Sequence, residues 1–137
     1  MTDTPVPAGT RGRREARERA VELAYEAELR SSSVDDLLDT LPIPPDAFTV
    51  ELLLAAEATR ETAEGWIAEK ASGWTIERMA ALDVLVMRLA IAELLRFDTP
   101  TGVVLSEAVE LATRYSTDTS GRFVNGILAA VARSIER

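Results

Sequence analysis

Arg13, Arg14 and Arg17 stand at helical spacing near the amino terminus, and Tyr25 follows two to three turns later. Guanidinium groups can contact phosphate oxygens. An exposed ring can stack on a nucleobase for about 1–3 kcal/mol. The chemistry such a helix could do is single-stranded RNA binding. The same residues also fit a solvated helix face neutralised by Glu15, Glu18 and Glu22, with Tyr25 covering a second packing surface.

A second group lies in "GRFVNGILAAV", residues 121–131. Asn125-Gly126 is a hairpin dipeptide, yet Phe123, Ile127 and Val131 recur every fourth residue, as do Val124 and Leu128. That spacing predicts a helix. Arg122 and Phe123 would then stand at its start, where unpaired backbone N–H groups favour anions such as phosphate. Gly121 is expected in the turn before the helix. Gly126 is expected to let another helix approach closely, with the Asn125 amide beside that contact. Phe123 fits the core as well as it fits a stacking platform.

Other chemistries lack their residues. With no cysteine and no histidine, disulfides, thiol nucleophiles, the usual zinc sites and imidazole catalysis are excluded. Gly65, Gly73, Gly102, Gly121 and Gly126 are isolated and form no phosphate loop. No carboxylate pair suggests catalysis. We therefore expect no enzyme activity, no cofactor and no metal. Apolar runs 84–87 and 89–92 are separated by Arg88, short of the 18 or so residues of a membrane span. No secretory signal pattern precedes them. A cytoplasmic protein without membrane attachment is expected.

Net charge is −8, distributed unevenly. Residues 1–19 hold five arginines against Asp3, Glu15 and Glu18, a net of +2, so the remainder carries −10. The net charge argues on its face against a nucleic-acid binder, but its distribution, a basic end on an acidic body, matters more than the sum. Arg88 and Glu93 interrupt the most apolar segment and are expected to be paired, with Glu107 or Glu110 as partners for Arg88. Trp66 and Trp74 are expected as core or helix-junction anchors.

These groups require helices to position them. Residues 1–10, with Pro5, Pro7 and Gly9, read as a flexible tail, and residues 11–137 as one helical domain. A helix over 12–30 ends at Ser31-Ser32-Ser33. Ser33 caps a short helix through Leu41, with Asp36 at the capping-box position. Asp46 starts a helix reaching about Ala71, interrupted at Gly65. Gly73 and Thr75 separate it from residues 76–97, the most apolar segment, with a break near Ala80-Ala81. Residues 103–115 are amphipathic, with Val104, Ala108, Leu111, Ala112 and Tyr115 on one face. The last helix follows the turn at 116–121. The fold class is all-α, a bundle of six or seven helices.

The motifs "FVNGIL", "EAVELA" (residues 107–112), "RLAIAELL" (88–95), "GWTIERMAALD" (73–83) and "RREARERAVELAYEAE" (13–28) occur in order. Together they resemble the bacterial transcription antitermination factor NusB family, from about Arg11 to the end of the chain. The resemblance implies a seven-helix domain without catalytic activity. It implies binding to the boxA element of rRNA leader transcripts together with NusE, a protein that also serves in the small ribosomal subunit. Such a complex supports read-through by RNA polymerase, an indirect partner, and rRNA maturation. It implies RNA contact by Arg13, Arg14, Arg17, Tyr25, Tyr115, Arg122, Phe123 and Asn125. Glu77 and Asp83 are implied on the side facing NusE, where solvated helix surface is the other reading.

Glu15 stands where some relatives have a third arginine, and Thr119 where some have aspartate. Both departures bear on the strength of RNA binding by the chain alone. An acidic helical interaction adaptor with little RNA binding is the competing function. A NusB-like domain of an rRNA cytosine methyltransferase finds no room for its catalytic fold in 137 residues. Monomer and homodimer both stay open.

Overall fold

The computed structural model describes residues 10–135, with side chains from Gly12 onward. The expected tail, apart from Thr10, lies outside the described residues. Among those described there are α-helices, one 3₁₀ turn and no strand. The helices are α1 (Thr10–Arg30), α2 (Val34–Asp39), α3 (Ala47–Ala58), α4 (Arg60–Lys70), α5 (Ala81–Arg96), α6 (Thr101–Tyr115) and α7 (Ser120–Ser134), with the 3₁₀ turn at Ile76–Arg78. The all-α class and the helix number expected from periodicity are what the fold contains. Packing divides the chain into two compact units, one ending at Leu54 and one beginning at Ala55.

In the first unit, α1 buries Ala16, Ala20, Leu23, Ala24 and Ala27, the small-residue face read from the sequence. Val21 is buried too, so burial extends beyond that face. Ser31, at φ 50°, takes the left-handed position that ends α1. The Ser32 N–H then donates to the Ala27 carbonyl at 2.9 Å, satisfying an otherwise orphaned helix-end acceptor. Ser33 caps α2 as expected, its Oγ accepting from the Asp36 N–H at 3.1 Å, although α2 stops at Asp39 rather than Leu41. Asp46 caps α3 by accepting from the Phe48 N–H at 2.8 Å. Thr49 ties α3 to α1, its Oγ1 donating to the Ala16 carbonyl at 2.9 Å.

In the second unit, α5 is central and packs against α4, α6 and α7. Every residue from Asp83 to Leu94 is buried. Arg88 and Glu93 on α5 and Glu107 on α6 are buried and engaged by neighbouring groups, whereas Glu110 is exposed.

Three boundaries differ from expectation. The break between α3 and α4 falls at Thr59, not Gly65. The Thr59 hydroxyl donates back to the Ala55 carbonyl at 2.7 Å, an arrangement that competes with regular helix. Gly65 lies inside α4 with open space around it. Residues 76–97 form the 3₁₀ turn and then α5, separated at Met79 and Ala80, whose ψ values of 153° and 132° are extended. Thr75 precedes the turn without a side-chain capping bond.

The third difference concerns the glycines of α7. Gly126 is exposed, and a Cβ there would meet nothing within 4 Å. Gly121, expected in a turn, lies in the first turn of α7 and is buried. A Cβ on Gly121 would stand 2.8 Å from Thr113 Oγ1 and 3.3 Å from Val109 Cγ1. The close crossing with α6 is therefore at Gly121. The physical reason is register: Val124, Ile127, Leu128 and Val131 turn toward the interior, and Gly121 shares their face while Gly126 lies off it.

Candidate nucleic-acid interface

The first group of candidate residues is built on α1. Arg14 is exposed and engaged by neighbours, and Tyr25 is exposed at 38%. Both face solvent because the alanine face takes the opposite side of the helix. Arg13 and Arg17 are positioned differently. Their guanidinium carbons stand 4.1 and 5.2 Å from the centroid of the Phe48 ring on α3. This is cation–π geometry. Arg13 is half-buried, whereas Arg17 is only 5% exposed. The expectation that all three arginines are surface side chains therefore fails at Arg17. Helix periodicity places it near the edge of the apolar face, and the Phe48 ring supplies a surface for its stem and head. Phe48 had no sequence signal, because its pairing with α1 spans more than thirty residues. Glu15 is exposed beside this group.

The second group lies in the unit that begins at Ala55. Phe123, in the first turns of α7, is half-buried and meets Trp74 edge to face, with centroids 6.0 Å apart and planes at 72°. Trp74 is 51% exposed, so it is no core anchor. It follows Gly73, whose φ of 78° turns the chain outward after α4. Trp66 fits the anchoring expectation better: it is half-buried, with Lys70 Nζ 5.6 Å from its ring centroid.

Around the two rings is a cleft of about 470 Å³, lined also by Arg78, Met79, Ala80, Asp83, Thr119, Ser120 and Arg122. Two guanidinium groups, two rings and one carboxylate thus converge on one concavity. Ser120 begins α7 and accepts from the Thr117 N–H at 3.0 Å, fixing the turn that delivers Arg122 and Phe123. Asp83 is 6% exposed, and its Oδ1 lacks a hydrogen-bond partner. Glu77, in the 3₁₀ turn, is exposed. Asn125 is exposed on α7 and Tyr115 is half-buried at the end of α6, with the Arg114 guanidinium 5.8 Å from its centroid. Neither lines the cleft. Sequence reading missed Trp74 and Arg78 as site residues. Their proximity in "GWTIER" to a glycine turn was the available signal.

Among the described residues no group of three or more acidic side chains is arranged to hold a metal ion. No helix there is long and apolar enough to cross a membrane. Fold and site together define a protein that is all-helical among the described residues, with a cleft at the start of α7 that brings cations and rings together. The chain belongs to the NusB family, whose sequence profile matches residues 14–133.

It is 42% identical over 127 residues to the transcription antitermination protein NusB of Saccharopolyspora erythraea, covering 88% of this chain and 86% of that one. Among solved structures it is similar to NusB of T. maritima, with 30% identity, a TM-score of 0.78 and coverage of 88% and 90% of the two chains. A structure of the antitermination factors NusB and NusE with double-stranded RNA matches at 26% identity and a TM-score of 0.76. That match covers 93% of this chain and all of the other.

Proposed function

We propose that this protein is a transcription antitermination factor that binds boxA RNA of rRNA leader transcripts together with NusE. The complex supports read-through by RNA polymerase and rRNA maturation. The observation that carries this reading is the match, over 93% of the chain, to a NusB solved with NusE and RNA. The exposed arginine and tyrosine of α1 and the ring-and-arginine cleft at the start of α7 support it from this chain's own chemistry. Arg13, Arg14, Tyr25, Arg122 and Phe123 contact RNA directly, and Arg17 orders the Arg13 side of α1 through Phe48. Tyr115 and Asn125 extend the RNA surface. The acidic body faces the basic partner on the side of Glu77, which is exposed, and Asp83, which lies buried in the cleft wall. The protein works in the cytoplasm and catalyses no reaction. Segment 11–137 carries both binding functions.

The net charge of −8 favours one other reading, an acidic adaptor with little RNA binding of its own. In vitro transcription across a terminator downstream of boxA, with NusE and the remaining elongation factors supplied, separates the two. An RNA-dependent antiterminator raises read-through only when boxA is intact. An adaptor raises it equally with boxA scrambled.

A further inference from the structure

We propose that Phe48 is a positioning residue for RNA binding: its ring holds the Arg13 guanidinium in place before RNA arrives. This rests on the RNA-binding reading above and adds a determinant of affinity that lies outside the arginine helix, on α3.

Arg13 and Arg17 are four residues apart and so lie one above the other on one side of α1. One ring serves both, with their guanidinium carbons 4.1 and 5.2 Å from the Phe48 centroid. The electron-rich face of the ring gathers two cations that would otherwise repel each other. Phe48 is itself fixed. It is 7% exposed, and its N–H donates to Asp46 Oδ1 at 2.8 Å. The next residue, Thr49, is fully buried and donates through Oγ1 to the Ala16 carbonyl at 2.9 Å. Ala16 lies between the two arginines in the sequence, so that bond sets the register of the ring against them.

The consequence is energetic. A long side chain that is free in solution loses rotamer freedom when it is immobilised on a ligand, and that loss weakens binding. Arg13 is ordered beforehand by the ring. A cation–π contact occupies no N–H donor, so the guanidinium keeps its fork of donors for phosphate oxygens. Arg13 is half-buried, which leaves part of it open to a phosphate. Arg17, only 5% exposed, serves the ring contact instead. The opposite device would stow Arg13, and RNA would have to lift it off the ring. The half-exposed Arg13 and its uncommitted donor geometry favour preorganisation.

The test is an equilibrium titration of boxA leader RNA with the full chain and its cognate NusE. Phe48→Leu keeps an apolar side chain and removes the ring. It is expected to weaken binding about 2- to 10-fold, the effect of ordering one long side chain. Pentafluorophenylalanine at position 48 keeps the shape of the ring and reverses the sign of its face. It is expected to weaken binding by a similar factor, and it decides the matter if Phe48→Leu does not fold. In an Arg13→Ala background the position-48 changes are expected to have no further effect on binding, because the two residues act as one unit.

Unchanged affinity in the pentafluorophenylalanine protein overturns the proposal and leaves RNA binding standing. Tighter binding overturns it in favour of a stowed arginine. A loss of the same size with and without Arg13 assigns the ring to packing alone and overturns it too. Failure of the unsubstituted protein with NusE to bind boxA RNA would remove the RNA-binding reading itself, and this proposal with it.

Discussion

Gly121→Ala and Gly126→Ala are the same substitution five residues apart on one helix, and the structure predicts opposite signs. At Gly126 the new methyl meets nothing within 4 Å. The exchange then gains the helix-propensity difference, about 1 kcal/mol. At Gly121 the same gain is outweighed. The new Cβ would sit 2.8 Å from Thr113 Oγ1, too close for either atom to stay. That hydroxyl is not free to swing away, because it donates to the Val109 carbonyl at 2.8 Å. Moving it forfeits a bond worth about 1 kcal/mol. Val109 Cγ1 at 3.3 Å blocks the remaining space, and overpacking of this kind costs about 1–3 kcal/mol. The net expectation for Gly121→Ala is a loss of about 1–3 kcal/mol, or roughly 4–12 °C in melting temperature. Urea titrations of the two variants, with the slope held common, measure both signs. A Gly121→Ala protein as stable as the parent would refute the crossing at α6, and a destabilised Gly126→Ala would refute the open face.

The α1 arginines should separate by role. Arg14→Ala is expected to leave stability within about 0.5 kcal/mol and to flatten the salt dependence of RNA binding by up to about 0.7 in log–log slope. Arg17→Ala should lower stability by about 1–2 kcal/mol, because it uncovers Phe48; a denaturant melt reads the difference. Tyr25→Ala should cost about 1–3 kcal/mol of RNA binding with little change in melting temperature, in a paired titration and melt. Stopped-flow association with NusE should slow as salt rises, and Glu77→Lys should slow it further at low salt. Rates indifferent to both would place the partner face elsewhere.

What could be read from the sequence was whatever repeats along a single helix. The alanine face of α1, the outward Tyr25, the buried α5 and the capping by Ser33 and Asp46 all follow from local periodicity or cap chemistry. What could not be read depended on partners distant in the chain. Arg17 is buried because Phe48 lies beneath it, and no one-helix projection contains that ring. Gly126 attracted the close-crossing role because it follows asparagine, yet the crossing is set by which α7 face meets α6, and that face contains Gly121. Likewise Trp74 looked like a core residue by type, but the turn at Gly73 carries it outward to meet Phe123. The motifs conveyed the family. The division of labour within the site came from tertiary contacts.

The most direct test of the central claim is an equilibrium titration of boxA-containing leader RNA with this chain, with its cognate NusE, and with both, beside a scrambled boxA. The account predicts that the pair binds boxA RNA tighter than either protein alone and tighter than the scrambled sequence. It predicts also that Arg14→Ala with Tyr25→Ala removes most of the gain while both proteins still associate. Equal affinity for boxA and scrambled RNA, or a gain untouched by those two substitutions, would contradict it.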